Sequence, residues 1–282
     1  MTNIIDFRLR PPLLSYLKTA IWNEKGFSRF NALQGVEVAD SVKAYSIDLM
    51  FEEMDRAGIV AGVMNGRQCT DFRGEVTNAD LADICTRYPK RFYALAGVNP
   101  FRGDESVKEA DTFIREYGFK GLSLDPGGYE EQMFADDPRL FPFYELCLEH
   151  DLPAVLTLGP MGGTGVHFGS PLQVDRLAAH FPELNIVVSH GCWPYVTEMC
   201  GVAVRRSNVY LMPDMYHVGM PGHQDYTEAA RHIARGRFLF ASAYPSRPLE
   251  VAVQGYRDLG LSQEVLHEVF RSTAARLMKL DS

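Results

Sequence analysis

The chain has 282 residues, 46% of them apolar, with a net charge of −8 and a pI near 5.5. An acidic balance without a basic cluster argues against nucleic-acid binding, and no apolar run reaches the roughly 20 residues a membrane-spanning helix needs. The five cysteines (Cys69, Cys85, Cys147, Cys192, Cys200) are odd in number and form no CxxC pair, and a strand opens the chain without a signal peptide, so reduced thiols in a cytoplasmic protein are expected.

The first strand is predicted at residues 4–10, where Ile4, Ile5 and Phe7 supply apolar surface and Pro11-Pro12 stops the run. Alternate side chains of a strand share a face, so Asp6, Arg8 and Arg10 are expected to point one way. Three charges on one face are costly unless they pair or meet a ligand. Residues 11–40 form a long connection holding Tyr16, Trp22, Phe27 and Phe30. Loops of that length are often lids or binding loops; the other readings are packing under the barrel or against a second copy in a homo-oligomer. From Ser41 a helix is predicted through Val42, Ile47, Met50 and Met54, stopped by Gly58.

A strand–helix unit then recurs. Strands are predicted at 59–64, 92–98, 121–124, 153–158, 184–189, 209–212 and 238–241. Between them, helices run from an Asn78 cap to Arg87, over 105–117, from Asp137-Pro138 to His150, from Ser170-Pro171 to Phe181, over 193–205 and over 226–234. A last helix covers 249–280. Eight strands, nearly every one followed by a helix, predict an α/β fold of the (β/α)8 TIM-barrel type in a single domain over 1–282. The alternative is a doubly wound sheet, but no GxGxxG follows a strand.

Active sites of such barrels lie at the strand C-terminal ends. Those positions hold Arg8, Arg10, Asn65, Arg67, Asn99, Asp125, Thr157, His190, Asp214, Ala243 and Tyr244. His190 ends a strand before Gly191 and carries the one side chain that titrates near neutrality; it serves as acid, base or metal ligand, or else bonds barrel backbone. Arg8 and Arg10 bring two permanent cations whose forked donors match a carboxylate, unless Asp6 and Asp125 neutralise them. Arg67 adds a third. Asp214 serves as base, histidine orienter or ligand, or as a turn residue after Pro213. With His190 and His223 it forms an alternative ligand set for zinc, with His217 in the same loop, although the spacing matches no established pattern.

Several stretches carry a family resemblance: Ile5-Asp6, Leu152-Pro153, Phe181-Pro182-Glu183-Leu184 leading to Val188-Ser189-His190-Gly191, Trp193-Pro194-Tyr195 through Glu198, Ser207-Asn208-Val209-Tyr210, Phe240 through Pro245, and Ala274-Ala275-Arg276-Leu277. Through them nearly the whole chain resembles the amidohydrolase-related barrels of the amidohydrolase 2 type. Branches of that family include aminocarboxymuconate-semialdehyde decarboxylase, resorcylate decarboxylase and 2-pyrone-4,6-dicarboxylate lactonase. The resemblance implies a metal site that the residues here do not repeat. The family's Asp-x-His-x-His reads Asp6, Arg8 and Arg10, its strand-five histidine is Thr157, and its strand-eight aspartate is Ala243. Of the five functional positions now held by Arg8, Arg10, Thr157, His190 and Ala243, His190 alone keeps the family's residue.

The lactonase branch implies a metal-independent solution in which cations hold substrate carboxylates. The expected function is therefore a lactonase-like hydrolase, without cofactor, for a small carboxylate-bearing substrate. Arg8 and Arg10 would bind the carboxylate and an oxyanion, with Arg67, Asp125, Thr157 and Trp193 completing the substrate contacts. His190, Asp214 and Tyr244 would carry the chemistry. The alternatives are a decarboxylase or lyase in the same pocket, a hydrolase with zinc relocated to His190, Asp214 and His223, and a catalytically inactive barrel that binds small anions.

Overall fold

Period-two alternation sorts the strand side chains into two apolar layers, and this sorting builds the site. In a computed structural model, described over residues 3–69 and 71–280, seven parallel strands lie side by side in chain order. They are β1 Ile4–Asp6, β2 Ile59–Asn65, β3 Phe92–Gly97, β4 Leu122–Leu124, β5 Ala154–Thr157, β6 Ile186–Ser189 and β7 Val209–Met212. The outermost residues of the expected 1–282 domain lie outside the described residues. Ile5, Phe7, Val63, Leu95, Val155, Val187, Met212 and Leu239 form one buried cluster with Leu277 and Met278 of the C-terminal segment. This cluster fills the inside of the curled sheet. The alternate residues, such as Ile4, Met64, Leu156, Val188 and Leu211, pack outward into the larger core with the helices. Strands covered on both faces read as near-continuous apolar runs, as these do.

The helices are α1 Glu24–Leu33, α2 Asp40–Lys43, α3 Ile47–Ala57, α4 Asn78–Arg87, α5 Asp104–Tyr117, α6 Phe141–His150, α7 Pro171–His180, α8 Val196–Arg205, α9 His223–Glu228, α10 Leu249–Arg257, α11 Gln263–His267 and α12 Thr273–Leu277. None is long and apolar enough to cross a membrane. Each of the five cysteines is free.

The expected eighth strand does not form as a strand. Residues 238–244 span the gap between β7 and β1 through single bridges, Leu211 to Phe238 and Leu9 to Tyr244, and through the Phe7 amide, which donates to the Phe240 carbonyl. The Phe240 amide donates to Val269 instead of a neighbouring strand, and Ala243 adopts a left-handed φ of 56°, so no regular ladder can run through the segment. β1 is also shorter than expected. It ends at Asp6, and the chain bends at Phe7 and Arg8.

The 11–40 connection is not a loop. It folds as two 3-10 turns, Leu14–Lys18 and Ala20–Trp22, followed by α1. Asn31 of α1 donates to the Pro245 carbonyl, and Trp22 packs edge-on to Tyr244. The helix expected from Ser41 is two helices, because Ser46 accepts from the Leu49 amide and caps α3 afresh; Gly58 ends α3 at φ 79° as expected. Thr77, not Asn78, caps α4; the Asn78 side chain instead bonds both the amide and the carbonyl of Gly97. The helix expected at 193 starts at Val196, beyond Pro194. The terminal helix is interrupted after Arg257 and resumes at Gln263.

Candidate active site

One step beyond the apolar interior, the alternation that buries Val63, Val155, Val187 and Met212 turns Asn65, Thr157, Ser189 and Asp214 inward. Asn65 and Thr157 of this layer line a cavity of about 360 Å3 with Arg8, Arg10 and His190, and the 3-10 turns and α1 wall it through Tyr16, Ile21, Arg29 and Phe30. The connection after β1 thus lines the cavity as folded turns and a helix rather than as a loop.

His190 and Asp214 form a hydrogen-bonded acid–base pair at the cavity. His190 Nδ1 lies 2.9 Å from Asp214 Oδ1 and 2.8 Å from Oδ2. Asp214 is fully enclosed and also accepts from the Ser189 hydroxyl at 3.3 Å. Both residues have left-handed backbone, φ 66° at His190 and 45° at Asp214. Such conformations are disfavoured for residues with a Cβ and cluster at functional sites. The ring of Tyr216 meets the imidazole edge-on at 5.1 Å, and Gly159 faces it, where a Cβ would come within 2.9 Å of the ring. Burial pushes the His190 imidazole below its usual range. Asp214 opposes this and Arg8 and Arg10 add to it, so the neutral ring is favoured.

Arg8, 7% exposed, anchors itself through Nη1, which donates to Ser189 Oγ at 2.5 Å and Thr157 Oγ1 at 3.4 Å. Its Nε has no hydrogen-bond partner among the described residues and stands 3.9 Å from Asp214 Oδ2. Arg10 likewise anchors through Nη1, to the carbonyls of Ala243 and Tyr244 at 2.9 and 3.1 Å. Burial and the charge of Arg8 push Arg10 down to about 9, so it stays a cation at neutral pH. Asp6 does not share their face. Its Oδ1 accepts from the backbone amides of Arg8 and Ser242, and burial raises its carboxyl to about 6. The bend after Asp6 separates it from the arginines.

Arg67 is committed elsewhere. It donates to Asp125 and Asp71, and Arg73 joins the same two carboxylates to make a closed four-charge network at the cavity edge. Asp125 therefore neutralises Arg67 and Arg73 rather than Arg8 or Arg10. Tyr244 does not face the cavity. Its hydroxyl lies 2.8 Å from Ser41 Oγ, which bonds Glu53; the positive φ at Ala243 sends the chain outward there. Trp193 is not a lining residue either. It stacks on Tyr216 at 5.3 Å and donates to the Pro221 carbonyl, so it backs the wall. Tyr16, Ser123, Ser189, Arg29 and Tyr216 were missed as site residues. Asn65, known only as a strand end, lies in the floor.

The metal site that the resemblance implies does not fit these residues. Arginine has no lone pair to give at neutral pH and alanine has no donor atom, so Arg8, Arg10 and Ala243 cannot ligate. Arg8 instead bonds Thr157, the other altered ligand position. The relocated set fails as well: His223 opens α9 away from the cavity, and among the described residues no group of three or more His, Cys, Asp or Glu could hold a metal ion. His217 sits among Tyr226, Phe238 and Tyr256, with Nε2 on Thr227.

Comparison with known proteins shows a family and a set of relatives. The amidohydrolase family model matches residues 25–280. The crystal structure of an uncharacterized TIM-barrel protein from Bordetella bronchiseptica is 36% identical, with a TM-score of 0.92 over 98% of each chain. Gamma-resorcylate decarboxylase of Rhizobium sp. (strain MTP-10005) is 23% identical over 84% of this chain and 85% of its own. 2-Keto-4-carboxy-3-hexenedioate hydratase of Sphingobium sp. (strain NBRC 103272 / SYK-6) is 30% identical over 104 residues, 30% of each chain.

Proposed function

The chain belongs to the amidohydrolase family, and on that premise we propose that it is a lyase acting on a small carboxylate-bearing substrate without a metal ion. The observation that carries this reading is the His190–Asp214 contact beside two guanidinium groups, Arg8 and Arg10, that no carboxylate among the described residues pairs at hydrogen-bond distance. A substrate carboxylate supplies the missing anion. Neutral His190, oriented by Asp214, takes a proton from water as the hydroxyl adds to a carbon–carbon double bond conjugated with that carboxylate. The displaced electron pair spreads onto the carboxylate oxygens held by Arg8 and Arg10, and His190 returns its proton to the carbon beside the carboxylate. The reverse sequence eliminates water.

Decarboxylation is the second reading, favoured by the decarboxylase among the relatives. There the imidazolium gives its proton to the carbon that loses carbon dioxide, and the substrate's negative charge supports that charged ring. Lactone hydrolysis, the first expectation from the sequence, uses the same neutral base; the two named relatives are a decarboxylase and a hydratase, which weighs toward a lyase.

The test is a product-resolved assay of the purified chain on unsaturated carboxylates, hydroxybenzoates and lactones, with and without chelator. The expected result is water addition or carbon dioxide release that survives chelation and falls about 100-fold or more in His190→Gln. The pH profile separates the two readings: a base acting on water gives kcat/KM an acid limb below 6.5 and a plateau above it. Turnover of lactones alone makes the protein a hydrolase, and binding without any turnover makes it an anion-binding barrel. Activity lost on chelation and restored by a divalent ion contradicts the metal-free mechanism.

A further inference from the structure

The charges around the cavity are lopsided. Among the described residues, six cations and a single carboxylate, Asp125, line it, in a chain whose net charge is −8. Arg67 and Arg73 are neutralised by Asp71 and Asp125. Arg8 and Arg10 are anchored inside, by Ser189 Oγ and by the Ala243 and Tyr244 carbonyls. Lys25 and Arg29 of α1 remain. Both line the cavity and both are exposed, so they stand where it opens to solvent.

Neither side chain has an ion-pair or hydrogen-bond partner among the described residues. They are four residues apart on one helix, and like charges at that spacing destabilise it. The Arg29 guanidinium lies 5.8 Å from the centre of the Phe30 ring, which also lines the cavity. The charge of Arg29 reaches the Tyr216 hydroxyl together with those of Arg8 and Arg10, so one positive field runs from the opening to the anchored arginines. An exposed cation holds a small anion weakly, because water screens the contact pair. Its field nevertheless acts over a Debye length of about 10 Å at 0.1 M salt, and the walls of a cleft focus it. Exposure therefore suits Lys25 and Arg29 to guiding an anion in, not to holding it.

We propose that Lys25 and Arg29 form an electrostatic entry for the substrate anion. They draw a small carboxylate to the opening and pass it to Arg8 and Arg10, without contacting it in the final complex. Their effect belongs to the association rate at low ionic strength, and not to the dissociation rate. This role rests on the carboxylate reading of the cavity.

The test is the exchange kinetics of 4-fluorobenzoate with the full chain, read from fluorine NMR line shapes between about 20 and about 500 mM sodium chloride. At the low-salt end, association with wild type is expected to be about tenfold faster than with the double variant Lys25→Gln, Arg29→Gln. The dissociation rates should agree within about twofold, and at the high-salt end the association rates should converge. Near-ultraviolet circular dichroism checks the fold of the variant, and either single substitution carries the same expectation with a smaller loss should the double variant fail to fold. Equal association rates at low salt, or a loss that falls on dissociation and persists at high salt, overturns the steering role and leaves the carboxylate reading standing. Absence of saturable 4-fluorobenzoate binding to wild type overturns the carboxylate reading itself, and the role falls with it.

Discussion

At the residue scale, burial decides what each charged group can do. Asp6 illustrates the rule, since it is fully enclosed, its Oδ2 lacks a partner among the described residues, and its carboxyl is raised from 3.8 to about 6. A carboxyl whose folded value exceeds its unfolded one binds more protons in the native state across that interval. Its contribution to stability therefore falls as pH rises from about 4 to about 6, and the penalty is complete above 6. Asp6→Asn keeps the Oδ1 that accepts from Arg8 and Ser242 and removes the titration. Its stability relative to wild type should rise between pH 4 and pH 7, by about 3 kcal/mol at most. Urea unfolding at the two pH values measures this, and an unchanged difference would show that the carboxylate is not desolvated. The arginines were legible in the sequence because two cations at a strand end have few structural uses. Asp6 was misassigned to their face because a bend after three residues cannot be read from alternation.

At the element scale, the strand ends were legible and what they carry was only half so. Counting two residues on from Val63, Val155, Val187 and Met212 reaches Asn65, Thr157, Ser189 and Asp214, a signal present in the sequence from the start. Tyr16 and Arg29 could not be placed this way, because they come from the 3-10 turns and α1, whose docking is a tertiary matter. Tyr244 was misread because a positive φ at Ala243 breaks the period. The turn after β5 shows how one element positions the chemistry of the next. A Cβ at Gly159 would come within 2.9 Å of the His190 ring carbons, which are held by Asp214 on the other side. Gly159→Ala should therefore displace the imidazole, lowering kcat about 100-fold while costing about 1–3 kcal/mol in stability. A variant with full activity would mean that the ring has room to move and that its observed place does not matter.

At the scale of the whole molecule, the curled parallel sheet and its helices were legible because strand–helix repetition leaves few topologies, whereas the closure between β7 and β1 was not. That closure is irregular because the Phe240 amide donates to Val269 near the far end of the chain, which no local pattern encodes. The fold delivers a covered cavity lined by His190, which the enclosed Asp214 holds from behind, and by two guanidinium groups anchored by one nitrogen each. The positive charge of those groups, standing where the resembling family places metal ligands, is the feature on which the proposed chemistry depends. The most direct measurement compares carboxylate binding by wild type and Arg8→Met, with circular dichroism confirming the fold of each. Saturable binding in wild type that is lost in the folded variant is the predicted result; equal binding in both would contradict the account.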